Sequence, residues 1–289
     1  MRAAHGASVL LIAMAFLAAC SPGESPEDPR PQTTRNPAST TRITLPLDPY
    51  QITDEDYNTV SRALAVLTDR CMREKGFTYD EPAAPGVATA ATGHERRYGI
   101  TVLKTAKKYG YHLGGTPTQQ ARQPERSERY EHALTGTGRP TGDKGDFDDG
   151  CAGEAHRELE ADIDMTAVDL PQWYKRDSFQ RSLKDPRVTK EFAAWSGCMA
   201  DAGHRFANPL DPPADRRVMG AKVTDYERSV AVADITCKQR TGLVDTWQAV
   251  ESALQRATVD AQGTQLKKAR TEATRLVARA DRILGAGEN

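Results

Sequence analysis

The chain has 289 residues, of which 39 are Lys or Arg and 40 are Asp or Glu, so its formal net charge is −1. A nucleic-acid-binding surface needs a cationic excess to neutralise phosphates, and this balance argues against one. The mean hydropathy of −0.63 excludes a multi-pass membrane protein.

The first predicted element is a signal peptide over residues 1–19. Arg2 precedes Val9–Ala19, an uncharged apolar run of eleven residues that is too short to span a bilayer as a mature helix. The run ends in Leu17-Ala18-Ala19-Cys20, which resembles the lipobox of bacterial lipoproteins. An ordinary secretory signal is the alternative, but its cleavage site favours a small residue where Leu17 stands. We therefore expect Cys20 to be lipidated, palmitate included, and to anchor the protein at the extracytoplasmic face of the cell membrane.

Residues 20–50 are predicted to form a disordered tether behind the lipidated cysteine. Residues 21–49 hold seven of the 17 prolines, interleaved with Ser, Thr and charged side chains. Such a composition offers too few apolar side chains to build a core. The tether is therefore expected to hold the folded part away from the membrane.

The remaining chain is predicted to be all-α, because apolar residues recur at helical spacing and no strand-like alternation is found. We expect a first helical repeat over 51–170 and a second over 171–289 that ends in a long helix. A five-residue jump in the apolar pattern at Gly263 predicts a break in that helix. The predicted helices cover about 53–75, 94–109, 123–134, 153–166, 173–183, 186–202, 222–240 and 243–283.

Two similar segments indicate that the helical part arose by internal duplication. The segments begin at Cys71 and Cys198, and both read C-M-x3-G-x2-aromatic-x2-P. In each copy the glycine stands where a left-handed residue would end a helix, and the proline blocks its resumption. We therefore predict that both copies end a helix in the same way.

The four cysteines that remain after Cys20 are expected to form disulfides, because an exported protein meets an oxidising environment. The duplication favours the pairs Cys71–Cys151 and Cys198–Cys237, in which each repeat closes on itself. Pairing between the repeats is the main rival, and free catalytic thiols are a third reading.

The run from Arg96-Arg97-Tyr98-Gly99-Ile100 to Tyr109-Gly110-Tyr111 adds to this pattern. Together with the lipobox, the Thr/Pro-rich tether and the C-M-x3-G segments, it resembles a set of secreted actinomycete lipoproteins of uncharacterised function. The resemblance implies a location and disulfides, and no particular chemistry.

The sequence predicts no cofactor and no metal site. Its histidines are scattered, and it has no nucleophile elbow, P-loop or dinucleotide fingerprint. One basic and aromatic segment could contact an anionic cell-wall polymer, although an ordinary surface helix is the alternative. The cationic residues of that segment are Arg96, Arg97, Lys104, Lys107 and Lys108.

These observations favour a lipid-anchored binding or structural protein of the cell envelope over an enzyme. Its partner would be an envelope protein or a cell-wall polymer. The alternative is a cell-envelope hydrolase with a carboxylate or histidine site outside the known motifs. Self-association through the helix at 243–283 is a third hypothesis.

Overall fold

The computed structural model describes residues 43–79, 94, 96–112, 126–136, 150–220 and 222–286. Over these residues the fold is all-α, as predicted, with no β-strand. No helix in this part of the chain has the length and apolar character needed to cross a membrane. The helices are α1 (Asp54–Glu74), α2 (Leu103–Tyr109), α3 (Glu128–Thr135), α4 (Cys151–Glu160), α5 (Met165–Ser182), α6 (Pro186–Asp201), α7 (Asp225–Thr241), α8 (Leu243–Ala261) and α9 (Gly263–Ala286).

Polar caps encoded in the sequence start several of these helices. Thr53 and Asp56 form a capping box at α1, in which each side chain accepts a hydrogen bond from the other residue's backbone N–H. Asp185 caps α6 and is followed by Pro186, whose missing N–H costs nothing in a first turn. The predicted break at Gly263 is confirmed, because α8 ends at Ala261 and α9 begins at Gly263.

Four predicted helix bounds are wrong. The helices predicted to start at 123 and 173 start at Glu128 and Met165. The helix predicted over 94–109 begins only at Leu103, because residues 96–99 form turns in which Gly99 takes a φ of +77°, outside the right-handed helical region. The helix predicted over 153–166 ends at Glu160. Asp162, with a φ of +59°, breaks it, and α5 starts afresh at Met165.

The end of the predicted tether belongs to the fold. Leu45 and Leu47 are buried, and the Leu47 N–H donates to Gln255 Oε1 on α8 at 3.1 Å. Composition predicted disorder up to residue 50, but both leucines are buried in the fold. Residues 1–42, with Cys20, the predicted signal peptide and most of the predicted tether, lie outside the described residues.

The core consists of a large cluster and two smaller ones. The large cluster joins α6, α7 and α8 around Trp195 and Trp247, both fully buried. A second cluster joins α1, α4 and α9, and a third surrounds Cys71 and Cys151. Helix α5 packs on both α8 and α9 and runs across the predicted boundary between residues 170 and 171. All described residues therefore belong to one compact unit, Thr40–Asn289.

The four cysteines form the disulfides Cys71–Cys151 and Cys198–Cys237. These are the pairs in which each repeat closes on itself. The first disulfide joins α1 to the first residue of α4, and the second joins α6 to the penultimate turn of α7.

Helices α1 and α6 end in the same hydrogen-bonded motif. Gly76 and Gly203 have φ values of +80° and +84°, as a left-handed C′ residue requires. In both motifs the residue after the glycine donates its N–H to the carbonyl of the methionine that follows the cysteine. These bonds run from Phe77 to Met72 at 2.9 Å and from His204 to Met199 at 2.8 Å.

Candidate anionic-ligand groove

An open groove of about 640 Å³ lies where the end of α6 meets α7. One face of α7 forms its long wall, from Asp225 through Val232 and Ala233 to Arg240. These positions recur at helical spacing, so they share one side of the helix. The end of α6 and Lys107 of α2 complete the lining. We refer to this feature as the α6–α7 groove.

The Cys198–Cys237 disulfide holds the two walls of the α6–α7 groove together. Both cysteines line the groove, and their Cα atoms are 5.7 Å apart. The last carbonyls of α6 accept hydrogen bonds from the N–H groups of residues 202–204. Because these carbonyls are satisfied, they do not present unpaired acceptors to a ligand in the groove.

Side chains of both signs face the groove, with a cationic excess. Arg228 forms an ion pair with Asp225. Neither Lys107 nor Arg240 forms an ion pair with any described residue, and the same is true of Asp201. Two cations and one carboxylate are therefore available to a ligand. This arrangement favours an anionic ligand that approaches from the side of Lys107 and Arg240.

A serine and a histidine also meet in the groove, where His204 Nε2 lies 3.1 Å from Ser229 Oγ. Burial and the charge of Arg217 lower the pKa of His204, so the ring is neutral at pH 7. A hydrolytic pair needs a third group to orient the histidine and donors for an oxyanion. Among the described residues nothing hydrogen-bonds His204 Nδ1, so the pair lacks the orienting group of a catalytic triad.

Buried carboxylates position Lys107 by fixing the segment that carries it. Glu251 of α8 is fully buried and receives Arg97 Nε at 2.9 Å and the Tyr98 hydroxyl at 2.9 Å. The Arg97 guanidinium also donates to the Lys175 carbonyl at 2.7 Å. Removing either partner of such a pair would leave a buried charge uncompensated, which is strongly unfavourable.

The other end of the segment is fixed to α7. The Tyr111 hydroxyl donates to Asp234 at 3.0 Å, and the Tyr111 N–H donates to Glu227 at 2.8 Å. Asp234 also receives Trp195 Nε1 at 3.0 Å and Lys238 Nζ at 2.9 Å. Burial raises the pKa of Asp234 against the opposing effects of Lys238 and the hydrogen-bond donors. Burial and the Asp234 charge raise the pKa of the Tyr111 hydroxyl, which therefore stays protonated.

The five cations predicted to contact a polymer divide into two groups. Arg97 is occupied by Glu251, and Arg96 donates to the carbonyls of Tyr111 and His112. These two arginines hold the segment in place. Lys104, Lys107 and Lys108 are exposed within about 100° on one side of α2, and of these only Lys107 lines the groove.

Three groove residues were missed by the sequence analysis. Arg228, Arg240 and His204 are far from the basic segment in sequence and join Lys107 only in the folded chain. Arg228 and Arg240 are twelve residues apart. This spacing fits one side of a helix, but it also occurs on ordinary surface helices.

The apolar side of the long C-terminal helix, α9, packs against other helices of the same chain. Leu266, Ala273 and Leu276 of α9 are buried, and α9 packs against α1 and α5. The apolar stripe considered for self-association is therefore covered intramolecularly.

The candidate site contains no evident metal centre. In the part of the chain that the structure describes, no three His, Cys, Asp or Glu side chains are grouped so that they could hold a metal ion. Comparison with known proteins finds no matching family model, and neither a curated protein nor a solved structure matches the chain.

Proposed function

We propose that this protein is a lipid-anchored, extracytoplasmic component of the cell envelope that binds an anionic envelope polymer in the α6–α7 groove. The single observation that carries the proposal is the pair of cations Lys107 and Arg240, which line one groove and form no ion pair with described residues. A polymer with phosphate or carboxylate groups offers the complementary charges.

The shape of the groove supports a polymer over an enclosed small molecule. The groove is open to solvent, and Lys104 and Lys108 continue the positive charge along α2 beyond it. Val232 and Ala233 give the wall an apolar strip that suits the carbon atoms of sugar or polyol units. A polyanion that binds here releases counterions, so its affinity should fall as salt rises.

Titration calorimetry on residues 21–289 tests the binding proposal. Polyphosphate and poly-glutamate serve as phosphate and carboxylate probes, and neutral dextran serves as the control. We expect at least one polyanion to bind and dextran not to bind. K107Q/R240Q should weaken the binding about tenfold, because two exposed charge contacts are lost.

A matched variant separates the groove from net charge. R176Q/K190Q removes the same charge from exposed positions on α5 and α6 and should change the affinity less than twofold. If both variants lost affinity equally, or if neither polyanion bound, the groove would not be the binding site.

Fractionation of cells tests the anchor. The full chain should sediment with membranes and carry acyl chains on Cys20, whereas Cys20→Ser should appear in the soluble or released fraction. Membrane association of Cys20→Ser equal to that of the wild type would contradict lipid anchoring.

A further inference from the structure

Helix α9 concentrates positive charge in a chain that is almost neutral overall. Its 24 residues include six cations and two acids, which gives a net charge of +4. The acids are Glu272 and Asp281, and the cations are Lys267, Lys268, Arg270, Arg275, Arg279 and Arg282.

Most of these charges lie outside the buried side of α9, whereas Glu272 is largely buried. Lys268 pairs with Asp164 at 2.6 Å, and Arg275 pairs with the largely buried Glu272 at 2.7 Å. Arg279 donates to the carbonyls of Leu159 and Ala161. Half of the cations are therefore held by the fold.

The other three cations are exposed and form no ion pair with the described residues. At 100° per residue, Lys267, Arg270 and Arg282 fall within about 120° of the helix circumference. Asp281, the one exposed acid of α9, falls within the same arc, so the arc carries a net charge of +2. We call the exposed side that carries Lys267, Arg270 and Arg282 the α9 basic face.

The first described residues contact α8 and the large core cluster, and the turn that follows them packs on α9. Thr44 O accepts a hydrogen bond from Gln248 Nε2 at 3.4 Å, and the turn Asp48–Tyr50 packs on α9. Only the residues from 21 to 42 separate Cys20 from the first described residue. A chain of that length reaches about 26 Å if it is flexible and about 70 Å if it is polyproline-like, so a lipid on Cys20 would keep the folded part within that distance of the membrane.

We infer that the α9 basic face docks the folded part on the anionic phospholipid headgroups of the membrane that carries its lipid anchor. The inference rests on the proposed lipid anchoring. The anchor would confine the folded part to the neighbourhood of the membrane, and each cation near an anionic membrane surface attracts it. Docking through α9 would orient the protein and leave the α6–α7 groove, on other helices, for the polymer.

Vesicle flotation with residues 21–289 tests the docking without an acyl chain. This chain retains every described residue of the compact unit. We expect binding to vesicles containing phosphatidylglycerol at low salt and none to pure phosphatidylcholine. K267Q/R270Q/R282Q should lower the partition coefficient about 100-fold, since each cation contributes about fivefold.

K104Q/K107Q/K108Q, on α2, provides a matched control with the same loss of charge. This control should retain most vesicle binding, whereas the α9 variant should retain polyanion binding. Circular dichroism should show equal helix content in both variants. The docking inference is contradicted if wild-type protein binds both vesicle types equally, if it binds neither, or if the α9 variant binds like the wild type. Loss of polyanion binding in the α9 variant would assign α9 to the polymer instead.

Discussion

The α1–α4 pair and the α6–α7 pair are each closed by one disulfide, and their first helices end in the same motif. Beyond that motif the two regions differ. The first holds an exposed ion pair between Arg70 and Glu158, whose side chains are 55% and 44% exposed. In the second, α7 buries Asp234 and Lys238 almost completely.

The difference shows that the motif common to the two regions is a structural closure, whereas the candidate site comes from features that the two regions do not share. The buried acids of α7 and α8 bind the segment 96–112, which comes from the first predicted repeat. That segment brings Lys107 to the groove. In the described part of the α1–α4 region, no buried acids bind a distant segment in this way. The two disulfide-closed regions therefore differ in what they hold in place.

The largest difference between the regions should come from their acidic residues. Glu251→Ala should lower the free energy of unfolding by about 3–5 kcal/mol, because it leaves the Arg97 guanidinium without its buried partner. Glu158→Ala should cost less than about 1 kcal/mol, because its pair with Arg70 is exposed. Urea unfolding at pH 7 measures both. Equal costs would mean that the buried network does not distinguish the second region.

Removing either disulfide should lower the free energy of unfolding almost as much as Glu251→Ala does. The loss should be nearly the same in the two regions. The disulfides close loops of 80 and 39 residues. Loop entropy depends on the logarithm of length, so the serine double variants should each lose about 4 kcal/mol. Urea titrations of both variants check this. A second region that unfolded without its disulfide while the first stayed native would show that the closures are not equivalent.

A buried aspartate of the α6–α7 pair and a partly exposed aspartate between α4 and α5 should contribute to the pH dependence of stability with opposite signs. Burial raises the pKa of Asp234, so its contribution to stability falls as pH rises above the unfolded value of 3.8. The hydrogen bond from Lys268 lowers the pKa of Asp164, whose contribution is present above 3.8 and lost as pH falls below it. Unfolding of D234N and D164N against the wild type, from pH 3 to 7, should give slopes of opposite sign. Parallel slopes would contradict this assignment.

The smallest effect, the stability lost when the glycine at the helix end is replaced, should be the same in both regions. Gly76→Ala and Gly203→Ala should each cost about 1 kcal/mol, because alanine is strained at positive φ. A Cβ built at either position meets no atom within 4 Å, so no steric clash adds to that cost. Thermal unfolding measures both. A difference of more than about 1 kcal/mol would show that the two helix ends are not equivalent.

Local signals explain what could be predicted from the sequence. The cap at Asp185, the Gly263 break and the glycine after each C-M segment act within a few residues, and each appears in the fold as expected. The disulfide pairs followed from the same local repeat. The all-α class needed only the helical spacing of apolar residues.

Long-range contacts explain what could not be predicted. Tyr98 and Arg97 looked like part of a helix, but Glu251, over 150 residues away, holds them in an irregular segment. Leu47 was predicted to lie in the tether, but its backbone N–H donates a hydrogen bond to Gln255 of α8. Arg240 carried no local signal for a site, because it meets Lys107 only after α2 docks on α7.

Lysine footprinting in the intact cell envelope tests most directly whether the groove is occupied. A small amine-acetylating reagent is applied to envelopes and to purified residues 21–289, and the modified lysines are quantified by mass spectrometry. Lys184 and Lys190, exposed outside the groove, serve as internal references. We predict that Lys107 is protected in the envelope relative to these references, and that polymer-degrading treatment removes the protection. Equal acetylation of Lys107 in the envelope and in the purified protein would contradict polymer binding in the α6–α7 groove.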